Sequence, residues 1–174
     1  MDKYFSQTVG IPIVTEFGQK VGRVFDVVIN TDNGKIAGFL VSSSGHKVIA
    51  PVDILTWDHA LYIRNHDDVL EADEIHAVRE AMRKGIRVWR SRVVTKSGEN
   101  LGRVVDFMMH DKLFVLTKIV VAKSFLGLIN YRRRVIAHKD ILEITKDRII
   151  VKDPLRPIPV KSKMKVRAGA AASI

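Results

Sequence analysis

Few side chains in this sequence have the types and spacing that catalysis or metal binding requires. The six histidines are scattered, and the run "NHDD" at residues 65–68 places one of them beside carboxylates. Acidic residues also favour the start of a helix, which accounts for Asp67 and Asp68 equally well. Three serines at 42–44 lie in a predicted turn and lack the Gly-x-Ser-x-Gly context of a nucleophile. We therefore predict no catalytic residue, no metal site, no cofactor and no enzymatic activity.

One pattern of residues occurs twice in the chain. The string "IVTEFGQKVGRVFD" is repeated as "VVTKSGENLGRVVD", and residues 14–26 match residues 94–106 at 7 of 13 positions. Further on, residues 48–55 match residues 135–142 at 6 of 8 positions. Unrelated segments of average composition agree at roughly one position in sixteen. The chain is therefore an internal duplication.

Four residues of the repeated motif are candidates for a role, namely Gly22, Asp26, Gly102 and Asp106. Glycine inside a strand marks a bulge or a close approach of another backbone. Each aspartate has a functional interpretation, as an acid or metal ligand, and a structural one, as an acceptor of hydrogen bonds at a strand bend. Neither has a histidine or second carboxylate beside it, so we predict a structural role for all four.

The secondary structure expected of each copy is a series of short strands. The apolar runs are rich in β-branched residues and partly alternate with polar ones, as in half-buried antiparallel strands. Asn33-Gly34 is typical of a tight hairpin turn, which needs positive φ at its central residues. Five or six strands in each unit favour a small barrel or sandwich, and closure of a barrel would leave no exposed edge.

A helix is predicted between the two copies, at about residues 71–84. Apolar residues recur there at helical spacing, acids precede bases along the segment, and Gly85 suits the left-handed residue after a helix. The predicted fold is mainly β, with two tandem small antiparallel β-barrels joined by one α-helix and followed by a basic C-terminal tail. The predicted units are a first barrel at 8–67, a helical connector at 68–86, a second barrel at 87–153 and a tail at 154–174.

The pattern "T..G..(V/L)GRV.D" early in each unit and "VIA..DIL" late in it resembles the PRC-barrel family. Its small β-barrel is found in the photosynthetic reaction-centre H subunit and in the ribosome-maturation factor RimM. The resemblance covers both units and implies a tandem PRC-barrel protein. It also implies a docking or assembly module rather than a catalyst.

Charge is distributed unevenly along the chain, whose net charge is +10. Residues 1–84 carry 9 basic and 12 acidic side chains, whereas residues 85–174 carry 20 and 7. The second half therefore favours an anionic partner. The chain has no cysteine, which fits a reducing cytosol, and its most apolar long window, 114–129, contains two lysines and is too short to span a membrane. We predict a cytoplasmic protein.

Two segments of the second half are predicted to bind partners. An insertion in the second copy combines apolar residues with three arginines: Phe125, Leu126, Leu128, Ile129, Tyr131, Arg132, Arg133 and Arg134. Exposed apolar residues beside arginines are typical of a binding surface, although the same apolar side chains would also serve to cover the other barrel or the helix. The tail contains five bases and no acid after Asp153: Arg156, Lys161, Lys163, Lys165 and Arg167.

Three functions are consistent with these features. The first is a non-enzymatic adaptor that binds a protein partner through a barrel face and the hairpin at 123–134, with the tail adding electrostatic attraction. The second is an RNA- or ribosome-associated assembly factor, for which the basic second half argues. The third is a component peripheral to an anionic membrane surface or a photosynthetic complex. Few aromatic residues accompany the basic tail, which weighs against sequence-specific reading of RNA.

Overall fold

The computed structural model describes residues 1–42, 44–125, 128–129 and 133–153. The fold is mainly β, with the strands arranged in several sheets. Within these residues no sheet closes on itself by hydrogen bonds, so the expected closure of each barrel is not seen. No helix in the same part of the chain is long and apolar enough to cross a membrane.

The first copy contains two four-stranded sheets. Its strands, together with the one that precedes them, are β1 (Asp2–Tyr4), β2 (Pro12–Thr15), β3 (Lys20–Arg23), β4 (Asp26–Ile29), β5 (Ile36–Leu40), β6 (Lys47–Ile49), β7 (Ile54–Trp57), β8 (Leu61–Ile63) and β9 (Val69–Glu71). One sheet has the order β3-β2-β8-β7 and the other β4-β5-β6-β9. The two sheets separate where the chain bends between β3 and β4. A short helix, α1 (Phe5–Thr8), links β1 to β2.

The second copy forms one continuous sheet. Its strands are β10 (Arg92–Thr95), β11 (Asn100–His110), β12 (Val115–Ala122), β13 (Ser124–Phe125), β14 (Leu128–Ile129), β15 (Arg134–Ala137), β16 (Ile141–Ile144) and β17 (Arg148–Val151). The order is β15-β12-β11-β10-β17-β16, and β13 pairs with β14 in a separate two-stranded hairpin. Since β11 runs unbroken where β3 and β4 are divided, one sheet replaces the two of the first copy.

Strand direction departs from the expectation in one pair of each copy. β2 and β8 are parallel, as are β10 and β17, so the prediction of wholly antiparallel units is wrong at these pairs. In both copies the strand that begins the repeated motif lies beside a strand from near the end of the copy, and the two run in the same direction. All other named pairs are antiparallel, including β4 and β5 around the predicted Asn33-Gly34 turn.

The helix between the copies, α2, spans His76–Lys84 and is shorter than predicted. Its predicted beginning at about residue 71 is wrong because Val69–Glu71 form β9, which pairs with β6. The helix ends as predicted, with Gly85 in the left-handed conformation at φ 62°. Val78 of its apolar stripe is fully buried and packs in a small cluster with Ala37, Leu40, Val48 and Ala72 of the first copy.

The repeated motif builds the same turn in both copies. Thr15 N donates to Gln19 O at 2.9 Å, and Thr95 N donates to Glu99 O at the same distance. The threonine hydroxyls, both on buried residues, accept the N–H groups of Gln19 and Glu99 in return. The glycine three residues after each threonine has positive φ, which explains why "T..G" recurs.

The two copies share one hydrophobic core, in which buried residues of both belong to a single cluster. Two reciprocal backbone bonds join their equivalent turns: Ile36 N donates to Phe114 O at 2.7 Å, and Leu116 N donates to Gly34 O at 2.8 Å. The Phe114 ring then reaches into the first copy. It stacks on Trp57 with centroids 6.0 Å apart and meets the edge of Phe39 at 6.3 Å.

The first strand of the chain also ties the copies together. β1 pairs with β11 of the second copy, with Lys3 opposite Met109. The Lys3 ammonium lies 3.0 Å from the Asp58 carboxylate, which belongs to the first copy. β1 therefore belongs to the sheet of the second copy although it precedes the first copy in sequence. The two copies are not structurally independent.

Truncation of Phe114 to alanine is expected to lower the free energy of unfolding by about 2–3 kcal/mol, somewhat less than for a fully buried phenylalanine because its ring is half-buried. Urea unfolding monitored by tryptophan fluorescence measures this. Leu113→Ala is the matched control, since Leu113 is 68% exposed and its truncation should change stability by no more than about 0.5 kcal/mol. Equal effects of the two substitutions would contradict a core shared through Phe114.

Candidate functional site

A groove of about 570 Å³ lies where the two repeats meet. Its walls come from α1, β4, the last turn of α2, residues 85–89 that follow it, and β11. Five pairs of equivalent residues in the two copies line it: Phe5 and Gly85, Ser6 and Ile86, Val9 and Trp89, Phe25 and Val105, and Val27 and Phe107. The groove is therefore a product of the duplication and exists in neither copy alone.

Several exposed apolar side chains come together in this groove. The large apolar residues of its lining that remain exposed, with their exposed fractions, are Val9 (37%), Phe25 (50%), Met82 (42%), Trp89 (42%) and Val105 (37%). Apolar residues scattered singly on a surface are ordinary, but a contiguous group marks a place where another molecule binds. The groove is consequently the strongest candidate for a binding site.

The floor of the groove is a rigid aromatic stack. Phe5 of α1 and Phe107 of β11 are buried and lie nearly parallel, with ring centroids 4.5 Å apart. Trp89 tilts against Phe5 at 5.9 Å. Aromatic side chains held by packing lose little conformational entropy when a partner covers them, which favours binding.

The rim of the groove carries a cation held against an aromatic ring. The Arg90 guanidinium carbon lies 4.3 Å from the centre of the Trp89 ring, a cation–π arrangement. Arg90 has φ 65°, and its equivalent in the first copy is Gly10, which has φ 90°. The backbone bonds match as well, since Gly10 N donates to Val24 O and Arg90 N to Val104 O. A left-handed arginine costs about 1 kcal/mol relative to glycine, and here that conformation sets Arg90 beside Trp89.

The Asp106 carboxylate has a structural role in fixing α1. It accepts hydrogen bonds from the Ser6 hydroxyl at 2.6 Å, from Ser6 N at 3.1 Å and from Phe107 N at 2.9 Å. These contacts join β11 to the segment that supplies Phe5 to the groove. The equivalent arginines of the motif, Arg23 and Arg103, donate instead to the backbone oxygens of Gly10 and Arg90.

Asp26 occupies the equivalent position in the first copy but has a different environment. Its carboxylate accepts the Val27 N–H at 2.8 Å and lines the groove. Ile86 stands where Ser6 stands in the other copy, so no hydroxyl is supplied from that position. Burial raises the pKa of the Asp26 carboxyl above its ordinary value, and the Val27 N–H and the positive charge of Arg87 offset this only in part.

The two motif glycines permit close approach of neighbouring chain. Gly102 has φ 116°, and a Cβ there would lie 2.1 Å from the Ala122 backbone oxygen. At Gly22 the corresponding Cβ would lie 2.9 Å from a methyl group of Val41. The register of each hairpin shifts beside these glycines, between Ile13 and Val14 and between Val93 and Val94. Both glycines thus shape the bend that carries Phe25 and Val105 to the groove.

The hairpin predicted to bind partners is described in part. The backbone of Phe125 lies in β13, and that of Leu128 and Ile129 in β14. Arg133 precedes β15 and Arg134 begins it, both are exposed, and neither lines the groove. The remaining predicted residues lie outside the described part of the chain: Leu126, Tyr131, Arg132, Arg156, Lys161, Lys163, Lys165 and Arg167.

The run at residues 65–68 is a structural cap. Asp68 is buried, accepts the Arg64 N–H at 2.8 Å and forms a capping box with Asn65. Among the residues that the structure describes, no group of three or more histidine, aspartate and glutamate side chains is arranged to hold a metal ion.

The sequence analysis did not predict the groove, although the outward positions of Phe25 and Val105 indicated an exposed apolar surface. Val24 and Val104 are buried strand residues, so the alternation of a strand turns Phe25 and Val105 outward. An apolar residue at an outward position in both repeats is unusual on a solvated face. Trp89 and Met82 had no comparable signal, since their exposure depends on how α2 and residues 85–89 pack.

Both repeats match the same family of known proteins. The family model described as PRC-barrel domain matches residues 1–79 and residues 90–155. The two matched segments coincide with the two copies of the repeated motif. A search of curated proteins finds no match to the chain.

The two equivalent aspartates are expected to respond oppositely to substitution. Asp26→Asn should raise the free energy of unfolding at pH 7, because it removes a carboxylate whose ionised form burial disfavours. A raised pKa in the folded state means that the stability of the native protein falls as pH rises through that pKa. The advantage of the variant should therefore vanish below the ordinary aspartate pKa of about 3.9.

Asp106→Ala, in contrast, should lower the free energy of unfolding at pH 7 by about 1–2 kcal/mol, since Ser6 N and Phe107 N lose their acceptor. Urea denaturation of both variants across this pH range gives the comparison. Equal destabilisation by the two substitutions at pH 7 would contradict the different environments described for them.

Proposed function

The chain belongs to the PRC-barrel domain family, and we propose that it is a non-catalytic cytoplasmic adaptor that holds a segment of a protein partner in the groove between its repeats. The observation that carries the proposal is the group of exposed apolar residues, Val9, Phe25, Met82, Trp89 and Val105, gathered in one groove. A hydrophobic centre with a polar rim is the usual anatomy of a protein–protein interface.

The partner segment is expected to combine apolar and acidic side chains. Arg87 lines the groove, Arg90 stands beside Trp89, and both are exposed. The chain as a whole carries a net charge of +10, which attracts acidic partners and speeds their encounter. Apolar anchors would occupy the aromatic floor, while carboxylates would meet the arginines at the rim.

The hairpin at 123–134 enters the proposal as a second contact region. Arg133 and Arg134 are exposed, and the Arg134 guanidinium lies 3.9 Å from the Glu99 carboxylate, too far for a tight pair. An acidic partner could therefore engage them. The bases of the tail would add attraction at low salt, as expected for exposed charges.

A peptide library displayed on phage, selected on the full chain, tests the proposal. Enriched peptides should combine apolar and acidic residues, and a synthetic peptide of the enriched sequence should bind the wild-type chain in fluorescence anisotropy. Phe25→Asp should weaken this binding at least tenfold, as loss of a central apolar contact does. Phe17→Asp is the matched control, since Phe17 is 81% exposed and lies outside the groove.

Three results would contradict the proposal. Equal loss of affinity in the two variants would place binding outside the groove, provided that urea unfolding shows both variants to be folded. Enrichment of basic peptides would contradict the assigned chemistry. Salt-sensitive binding of a single-stranded RNA or of anionic vesicles, in the absence of any selected peptide, would favour the RNA-associated or membrane-peripheral alternative.

A further inference from the structure

On one side of the groove, α1 supplies an aromatic ring and a hydroxyl to β11. Phe5 stacks on Phe107 with ring centroids 4.5 Å apart. The Ser6 hydroxyl donates to the Asp106 carboxylate at 2.6 Å. Two successive residues of one segment therefore cover an apolar side chain of the strand and satisfy its carboxylate.

The segment equivalent to α1 lies 80 residues further along the chain, at residues 85–88. In the first copy Ile11 N donates to Thr8 O at 3.3 Å. In the second copy Ser91 N donates to Val88 O at the same distance. The two segments therefore enter their copies in the same way, and residues 85–88 correspond to α1.

This second segment brings neither an aromatic ring nor a hydroxyl to β4. Gly85 corresponds to the phenylalanine of α1, and Ile86 corresponds to its serine. Both line the groove, as do Asp26 and Val27 of β4. A Cβ at Gly85 would make an ordinary contact, 3.8 Å from the Cε of Lys146, so space remains beside this glycine.

The Asp26 carboxylate has capacity for a further hydrogen bond. One of its oxygens accepts the Val27 N–H at 2.8 Å, and no other group among the described residues donates to it. An ionised carboxylate has about four acceptor sites. Burial raises the pKa of this carboxyl, so a donor from a bound partner would stabilise its ionised form.

The donor that suits Asp26 is uncharged. Arg87, the other charged residue of the described lining, already lowers the pKa of Asp26 by its positive charge. A second cation would be repelled by Arg87, and it would lose more hydration in an apolar groove than a hydroxyl does. Serine or threonine therefore fits this position better than lysine, as Ser6 does at Asp106.

We propose that the groove selects a partner segment in which an aromatic residue is followed directly by serine or threonine. The ring lies beside Val27 and Gly85, and the hydroxyl donates to the Asp26 carboxylate. The segment thus repeats on β4 the contacts that Phe5 and Ser6 make on β11. This inference rests on the proposed function, because it names residues that the groove selects within its apolar and acidic partner.

Selection of the phage-displayed library on the full chain tests the pair, with Asp26→Ala as a second bait. The wild-type chain should enrich an aromatic residue followed by serine or threonine. The Asp26→Ala variant should still enrich the aromatic residue but lose the preference for a hydroxyl after it. Enrichment of apolar and acidic peptides without the pair would overturn this inference and leave the proposed function standing, whereas enrichment of no peptide would overturn both.

The hydrogen bond is measured with a synthetic peptide of the enriched sequence and a second peptide in which alanine replaces the hydroxyl residue. In fluorescence anisotropy the wild-type chain should bind the alanine peptide about tenfold more weakly, as expected for a hydrogen bond to a charged group. The Asp26→Ala variant should bind both peptides equally. Asp147→Ala, at an exposed position outside the groove, is the matched control and should keep the wild-type difference. The same loss of affinity in wild type and Asp26→Ala would overturn the proposal.

A measurement on the wild-type chain keeps the test decisive if Asp26→Ala folds poorly. The NMR signal of the Asp26 carboxyl carbon, followed as pH is varied, reports the pKa of this group. That pKa should be lower in the complex with the hydroxyl peptide than in the complex with the alanine peptide, because the hydroxyl stabilises the ionised form. Equal pKa values in the two complexes would overturn the proposal.

Discussion

The structure depends on the contact between two equivalent turns, at residues 34–36 and 114–116. Their reciprocal backbone bonds fix the copies in one relative orientation, and the Phe114 ring packs against both Trp57 and Phe39 of the first copy. Neither copy buries enough apolar surface alone to form a large core, since small units bury a small fraction of their surface. The buried residues of both copies form one cluster, which supplies the core that each copy lacks. β1 strengthens the contact between the copies because it pairs with β11 of the second copy.

The groove is a consequence of this junction. Duplication places equivalent residues on both sides of the line where the copies meet, so an outward apolar residue in the motif occurs twice and lies near its counterpart. Divergence then made the two sides unequal. On one side the Ser6 hydroxyl donates a hydrogen bond to Asp106. On the other side Ile86 replaces that serine, so Asp26 keeps the Val27 N–H but receives no hydroxyl from this position. A site built across such a junction changes shape if the copies shift, which couples binding to the integrity of the shared core.

Local chemistry in the sequence predicted much of the fold. The repeated "T..G" turn and the Gly85 helix end each depend on a few neighbouring residues, and both are present. The β4–β5 hairpin is present as well, but its turn is longer than the predicted two-residue turn: Asn30 N donates to Lys35 O, and of Asn33 and Gly34 only Gly34 has positive φ. Features that depend on distant packing were not predictable in this way. The parallel pairs, the strand Val69–Glu71 in place of a helix start, and the division of the first copy into two sheets all follow from contacts remote in sequence. Most of the groove belongs to this second class, because exposure of Trp89 and Met82 is set by tertiary packing.

The central claim is that the two repeats form one cooperative unit around a shared core. Native-state hydrogen exchange at increasing urea concentration tests it most directly, since it reports the free energy of opening at each buried amide. Phe39 represents the first copy and Ile119 the second, and both are fully buried. The account predicts that the two amides exchange through one global unfolding event with the same free energy and the same dependence on urea. Distinct free energies, with one copy opening while the other stays protected, would contradict it.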